Sequence, residues 1–462
     1  MSSFGKQNMV FASLRKLTIA LVAGSAVCLA MTSVASAQNN NNFGFNSVVG
    51  GVEINAKGVL DVERETLSQN DRQKLAERIN GTVADLKKSG LRMISLNGLE
   101  SAMAEAAKNG TELPLEVQYM AGLQRIEYII QSPETNDLIL AGPGEAFKAD
   151  ADGNIVGAKS GMPVIHLQDF LVAMRNADNA RRDYGITVSI DPTQQGVENL
   201  QKMFAKLNTF NPQLAGQAEQ VMGPQDISLT GIPKDSRYAR ILVSADFKMK
   251  RLSMGLETTP VYMPSLLEMA KAKDTKFRKM APRFWMECDY EPVAVSNDGN
   301  VWQLRGQGVK TLTDEQYFDK DGNKKAKGAE NKLAQTWANS MTDNFDRLSK
   351  DQPVFRELRN LMDLSVVAAI IKKDNLVEQL DMNLPGILGQ EMISTPSWNI
   401  PQQVPTQCSF VKLTKSWLVT ASGGVDVDSF AVAEKTEKVA KLGEIAALAN
   451  KRSATNWWWN AE

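Results

Sequence analysis

The chain has 462 residues, with 52 Lys and Arg against 53 Asp and Glu, a single histidine and three cysteines. A formal charge of −1 predicts no general affinity for nucleic acid, one histidine excludes zinc sites built on two or three of them, and so few cysteines exclude a disulfide framework. At roughly 150 residues per domain, this length has room for two or three domains, each with its own core.

Lys6, Arg15 and Lys16 precede an apolar run from Leu17 to Ala30, and Ala35-Ser36-Ala37 supplies the small residues that a signal peptidase reads. The run is shorter than the roughly 20 residues a bilayer span needs, so residues 1–37 are expected to direct export and be cleaved before Gln38. Val27 ahead of Cys28 argues against a lipid anchor. Loss of the leader removes three bases and no acid, taking the formal charge from −1 to −4. Periplasmic or extracellular location and no transmembrane span in the mature chain are the resulting expectations.

Residues 38–47 are Asn-rich and read as a flexible tether. Residues 48–182 are expected to form an N-terminal α+β domain. Its strands are predicted at Gly50 to Asn55 and Val59 to Val62, and its helices at Asp71 to Ile79 and at Leu99 to Lys108, the latter stopped by Asn109-Gly110. A hairpin follows from Arg125 to Leu140 around Ser132-Pro133-Glu134-Thr135-Asn136, then a strand at Val164 to Leu167 and a helix to Arg182. Residues 183–430 are read as the main α+β domain. Alternation predicts strands at Gly185 to Ile190, Asp226 to Ile232 and Ala239 to Ala245. A hairpin of Trp285 to Val295 with Val301 to Leu312 turns at Asn297-Asp298-Gly299-Asn300, and a buried helix spans Phe355 to Ile371. Strands at Cys408 to Lys412 and Trp417 to Ala421 come next. Residues 431–462 are read as a C-terminal helix, Val432 to Leu448, with a Trp tail. The fold class is α+β, with antiparallel, hairpin-rich sheets packed with helices in two or three subdomains.

Several strings resemble a family of uncharacterised secreted proteins, a domain-of-unknown-function family found mainly in planctomycete bacteria. They are Asp137 to Glu145 (DLILAGPGE), Leu242 to Glu257 (LVSADFKMKRLSMGLE), Trp302 to Val309 (WQLRGQGV), Trp337 to Asp343, Val404 to Phe410 and Ala421 to Val425. The resemblance implies a signal peptide followed by a globular body, and brings no activity, cofactor or active site with it.

Motifs for chemistry are few. His166, the sole histidine, lies in an apolar segment without a nucleophile signature and reads as structural. Gly142-Pro143-Gly144 and Gly306-Gln307-Gly308 lack the rest of a nucleotide-binding loop and read as backbone turns. Asp319, Asp321, Asn323 and Glu330 have the donor spacing of a calcium loop, but Lys324 replaces its glycine and Lys325 and Lys327 repel a dication. A basic stretch that includes Lys248, Lys250, Arg251, Lys271, Lys273 and Lys276 is the anion-binding candidate. Trp457, Trp458 and Trp459 are the partner-contact candidate, set against folding back onto the body. A bridge between Cys288 and Cys408 is left open by export, with two buried thiols that never meet as the preferred reading. Asp343 and Asp346 are paired carboxylates on one helix face and Arg359 with Asp363 is an i,i+4 pair; salt bridging on a helix surface is the preferred reading of each over catalysis. The expectation is a secreted, non-enzymatic binding or structural protein of the bacterial envelope, with an envelope polymer or protein as partner and no cofactor. The alternative is a carboxylate-dependent hydrolase acting on a polysaccharide.

Overall fold

Two largely antiparallel sheets organise the computed structural model, which describes residues 51–54, 60–63, 77, 79, 86–150, 154–183, 185–206, 213–258, 263–273, 279–280, 282–314, 316–318, 324–326, 332–412, 416–419, 421–449 and 456–461. The leader, the tether and the calcium-loop donors lie outside the described residues.

The strands of the two sheets, in chain order, are β1 (Ser89–Ser95), β2 (Tyr128–Ser132), β3 (Asp137–Gly144), β4 (Ile186–Pro192), β5 (Pro224–Thr230), β6 (Arg283–Asp289), β7 (Val293–Val295), β8 (Val301–Gln303), β9 (Gly308–Asp314), β10 (Gln403–Pro405), β11 (Ser422–Val427), β12 (Thr436–Lys438) and β13 (Trp458–Asn460). One sheet runs β12-β7-β8-β2-β3-β1-β13 and the other β9-β6-β11-β4-β5-β10. Each contains one parallel pair, β7 with β12 and β6 with β11. The class is α+β. Residues 42–462 form one compact unit, and elements on both sides of residue 183 share a core that includes Ile94, Leu171, Val188, Phe284 and Val367.

The predicted hairpin around Asn297-Asp298-Gly299-Asn300 is present, but each arm divides between the sheets. Its inner halves, β7 and β8, belong to the seven-stranded sheet, and its outer halves, β6 and β9, to the six-stranded one. Glu291 N–H donates to Arg305 C=O at 3.0 Å where the ribbon crosses. Gly306 sits in that crossing at φ 112°, and a Cβ there would come within 2.8 Å of the Asp289 carbonyl oxygen, so the bend requires glycine.

Five helices matter for the site: α1 (Leu96–Asn109), α2 (Leu167–Arg175), α3 (Arg237–Ser253), α4 (Phe345–Asp351) and α5 (Pro353–Lys373). Helix α1 ends at Gly110 in the left-handed conformation, as the Asn109-Gly110 signal predicts. Helix α5 begins with Pro353, whose missing N–H costs nothing in a first turn, and is buried continuously from Asn360 to Ile371. A residue stretch apolar on all sides has to be central, and α5 packs against α2, α3 and α4.

Four local expectations are corrected. Ala239 to Ala245 is helical, within α3: Ser236 Oγ accepts from Ala239 N–H, and Tyr238, Leu242, Ala245, Met249 and Leu252 continue a buried stripe at helical spacing. Val164 to Leu167 is no strand, because His166 is the extended N-cap of α2. Val432 to Leu448 is broken into helix Ser429–Glu434, strand β12, a tight turn at Ala440–Leu442 and helix Gly443–Ala449, since pairing of β12 with β7 interrupts it. The Trp tail is strand β13, paired antiparallel with β1.

Candidate functional site

The ribbon crossing carries a buried group of charged side chains. Asp363, on α5, has no exposed surface. Its Oδ2 accepts from Arg125 Nε at 2.9 Å, and its Oδ1 accepts from Arg125 Nη2 at 3.3 Å and from Tyr290 Oη at 2.6 Å. Arg125 also donates to the Gly306 carbonyl at 3.2 Å, which joins the seven-stranded sheet, the crossing and the central helix in one bidentate network. Burial and the neighbouring Asp363 push the Tyr290 hydroxyl well above 10, so it stays a donor. Burial also raises the Glu127 carboxyl against the opposing pull of Arg125. The expected Arg359–Asp363 surface pair is not formed: Arg359 turns to Asp346 at 3.2 Å, leaving Asp363 to Arg125. With both oxygens saturated by donors, Asp363 is suited to bracing the fold and poorly suited to moving a proton.

The six-stranded sheet has a different character. Alternation sends Phe284, Met286, Val425, Val427, Ile186, Val188 and Ile190 into the core. The opposite face is polar. Lys310, Glu287, Asp426, Thr187 and Thr230 are register partners strand to strand and make one transverse row. The next row holds Leu312, Trp285, Gly424, Ser189 and Ser228. A third row contains Arg283, Ser422, Asp191, Asp226 and Gln403. Solvent reaches this face: Asp226, Ser228, Thr230 and Gln403 are exposed, while Trp285, Glu287, Asp426, Thr187 and Ser189 are half-buried.

Packing explains how Trp285 lies on this face, on the second strand from one edge. A Cβ at Gly424 would meet Trp285 Cζ3 at 2.9 Å and the Val188 carbonyl oxygen at 1.9 Å, so only glycine lets the indole rest against β11. The Arg283 guanidinium lies 4.0 Å from the indole centroid and reaches Asp191 at 3.5 Å. Thr187 and Thr230 hydroxyls share a hydrogen bond of 2.8 Å, and Gln403 Nε2 donates to Asp226 Oδ1 at 2.7 Å. Asp426 and Glu287 face one another across parallel strands. Burial pushes the Asp426 carboxyl up to about 6, and Glu287 and Asp428 reinforce the shift.

The residues singled out from sequence are scattered. Lys248 pairs with Glu257, Arg251 donates to Gln407 and the Leu256 carbonyl, and Lys250 is buried with its Nζ 2.7 Å from Asp246 and 2.8 Å from the Ile190 carbonyl oxygen. That spends on internal contacts the charge expected to form a surface patch. The Lys271, Lys273 and Lys276 side chains lie outside the described residues, as do Asp319, Asp321, Asn323 and Glu330, and no metal-binding group of acids, His and Cys occurs among the described residues. Cys288 and Cys408 are unbridged: Cys288 is on β6 against the main core, and Cys408 packs with Ala218. His166 meets Tyr119 edge-on at 5.0 Å and is held well below 6.5 by burial and by Arg237 and Arg240, so it is a neutral structural residue. Trp459 is buried, and Trp457 and Trp458 pack against the core, which removes the tail as a free docking element.

Comparison with known families adds one region. A model of the family described as a protein of unknown function (DUF1598) matches residues 188–266. The match runs from β4 through β5 and α3, and so contains Ser189, Asp191, Asp226, Ser228 and Thr230 of the polar face. No curated protein and no solved structure matches the chain. No helix among the described residues is long and apolar enough to cross a membrane.

Proposed function

We propose that the chain is an exported protein of the bacterial envelope that binds a hydroxyl-rich polymer, a polysaccharide, on the polar face of the six-stranded sheet. The observation that carries this reading is Trp285, a half-buried indole on a sheet face that presents hydroxyls and carboxylates at Thr187, Ser189, Ser228, Thr230, Glu287 and Asp426. An aromatic face takes the C–H side of a sugar ring, and the surrounding groups exchange hydrogen bonds with its hydroxyls. The leader-like residues 1–37 and the likeness to secreted planctomycete proteins support export and an envelope setting. Affinity electrophoresis of the purified protein through gels containing neutral polysaccharides tests it: retardation lost in Trp285→Ala supports the reading, and mobility unaffected by every polysaccharide defeats it.

One observation favours a hydrolase on the same face. Glu287 and Asp426 are register neighbours on adjacent strands, and one of the two carboxyls is held near 6. A carboxyl whose proton is held more tightly beside a second carboxyl is the arrangement for acid and nucleophile roles. Release of reducing ends, abolished separately by Glu287→Gln and Asp426→Asn while binding persists, would select this reading over simple binding.

A further inference from the structure

We propose that the corner between α4 and α5, away from the polar sheet face, binds free hydrogen phosphate. Arg356, three residues into α5, is 3% exposed. Its Nη2 donates to Ser349 Oγ at 3.3 Å, while Nε and Nη1 have no acceptor among the described residues. One turn further on the same helix face, Asn360 is 4% exposed and neither its Nδ2 nor its Oδ1 is bonded. Arg359 gives Nη1 to Asp346 and keeps a buried, unbonded Nε. Buried donors of this kind are nearly always bonded in folded proteins, and four nitrogens drawn from two guanidiniums and an amide define the demand.

Charge points to an anion. Arg125, Arg356 and Arg359 repel one another, and burial with that repulsion lowers Arg356 to about 10. Asp363 pairs with Arg125 and offsets part of the repulsion at Arg359, but its oxygens are taken by Arg125 and Tyr290 and make no hydrogen bond with Arg356. The group also lies in the early turns of a 21-residue helix, at the positive end of its dipole. Guanidinium forks suit a tetrahedral oxyanion. Asn360 Oδ1 selects among such ions, because it requires a donor: hydrogen phosphate carries a hydroxyl and sulfate does not. Asp346 covers Arg359 yet its side chain is 64% exposed, so an incoming anion competes with a carboxylate that can swing into solvent.

Thermal unfolding of the full-length protein, titrated with sodium phosphate, sulfate or chloride at matched ionic strength, tests the assignment. Phosphate is expected to raise Tm by about 2 °C at a large excess over Kd, growing with the logarithm of its concentration, with an apparent affinity about tenfold weaker for sulfate. Asp346→Asn removes the competitor and should tighten phosphate several-fold. Arg356→Lys should weaken it about tenfold, with folding checked by circular dichroism; if that variant does not fold, the Asp346→Asn titration decides. A phosphate response no greater than that of chloride, an equal response to sulfate, or an Asp346→Asn affinity equal to or below that of the parent overturns the proposal.

Discussion

Replacing Asp426 with Asn should stabilise the protein at neutral and alkaline pH, which is unusual for a change at a half-buried polar residue. Burial and the facing carboxylates of Glu287 and Asp428 raise its carboxyl from 3.8 to about 6, and its buried Oδ1 accepts no hydrogen bond. The folded state therefore holds the Asp426 proton more tightly than the unfolded chain. The stability this contributes is fully present below about pH 4 and is lost as pH rises through 6. A displacement of about two pH units corresponds to a ceiling near 3 kcal/mol, and because the group is partly solvated, screening reduces the expected effect to about 1 kcal/mol. Urea unfolding of parent and Asp426→Asn at pH 8 and pH 4 measures it. The variant should be about 1 kcal/mol more stable at pH 8 and equal at pH 4. A variant less stable at pH 8, or a difference that does not change with pH, would refute the electrostatic reasoning.

Two further outcomes follow from the packing. Arg125→Met leaves the buried Asp363 carboxyl hydrogen-bonded by Tyr290 alone, and should cost about 3–5 kcal/mol in urea unfolding, more than Asp363→Asn, whose widowed Arg125 side chain is 16% exposed and can reach water. Deleting Trp457 to Glu462 strips β13 from β1, uncovers an edge strand and removes buried Trp459; about 3–5 kcal/mol of stability should be lost and aggregation on heating should rise, whereas a frayed tail would leave both unchanged.

Much of the local structure was legible because it depends on neighbours in sequence. The Asn109-Gly110 stop, the Ser132 to Asn136 turn and the alternation at Gly185 to Ile190 each name their element through backbone chemistry or period. Ala239 to Ala245 misled because Ile241, Val243 and Ala245 alternate within a longer helical stripe that Ser236 caps. The Val432 to Leu448 and Trp-tail readings failed for another reason: β12 and β13 exist only through pairing with β7 and β1, strands more than 100 residues away. Distance also hid the polar face. Polar alternation at Thr187, Ser189 and Asp191, and again at Asp226, Ser228 and Thr230, was visible in the chain. Its alignment with Trp285, Glu287 and Asp426 depends on strand order and register, which no single segment encodes. Likewise, Arg359 and Asp363 have ideal helical spacing, yet Arg125, 238 residues from Asp363, takes the carboxylate because the ribbon crossing presents it bidentately.

The most direct test of the central claim is the intrinsic fluorescence and binding isotherm of the purified protein against soluble neutral polysaccharides, with Trp285→Ala and a Thr187→Ala, Ser189→Ala double variant alongside. Saturable binding that falls at least tenfold in Trp285→Ala and weakens in the double variant, with both variants folded by circular dichroism, is the predicted result. Binding retained in full by Trp285→Ala, or no binding by the parent protein, would contradict a polysaccharide site on this sheet.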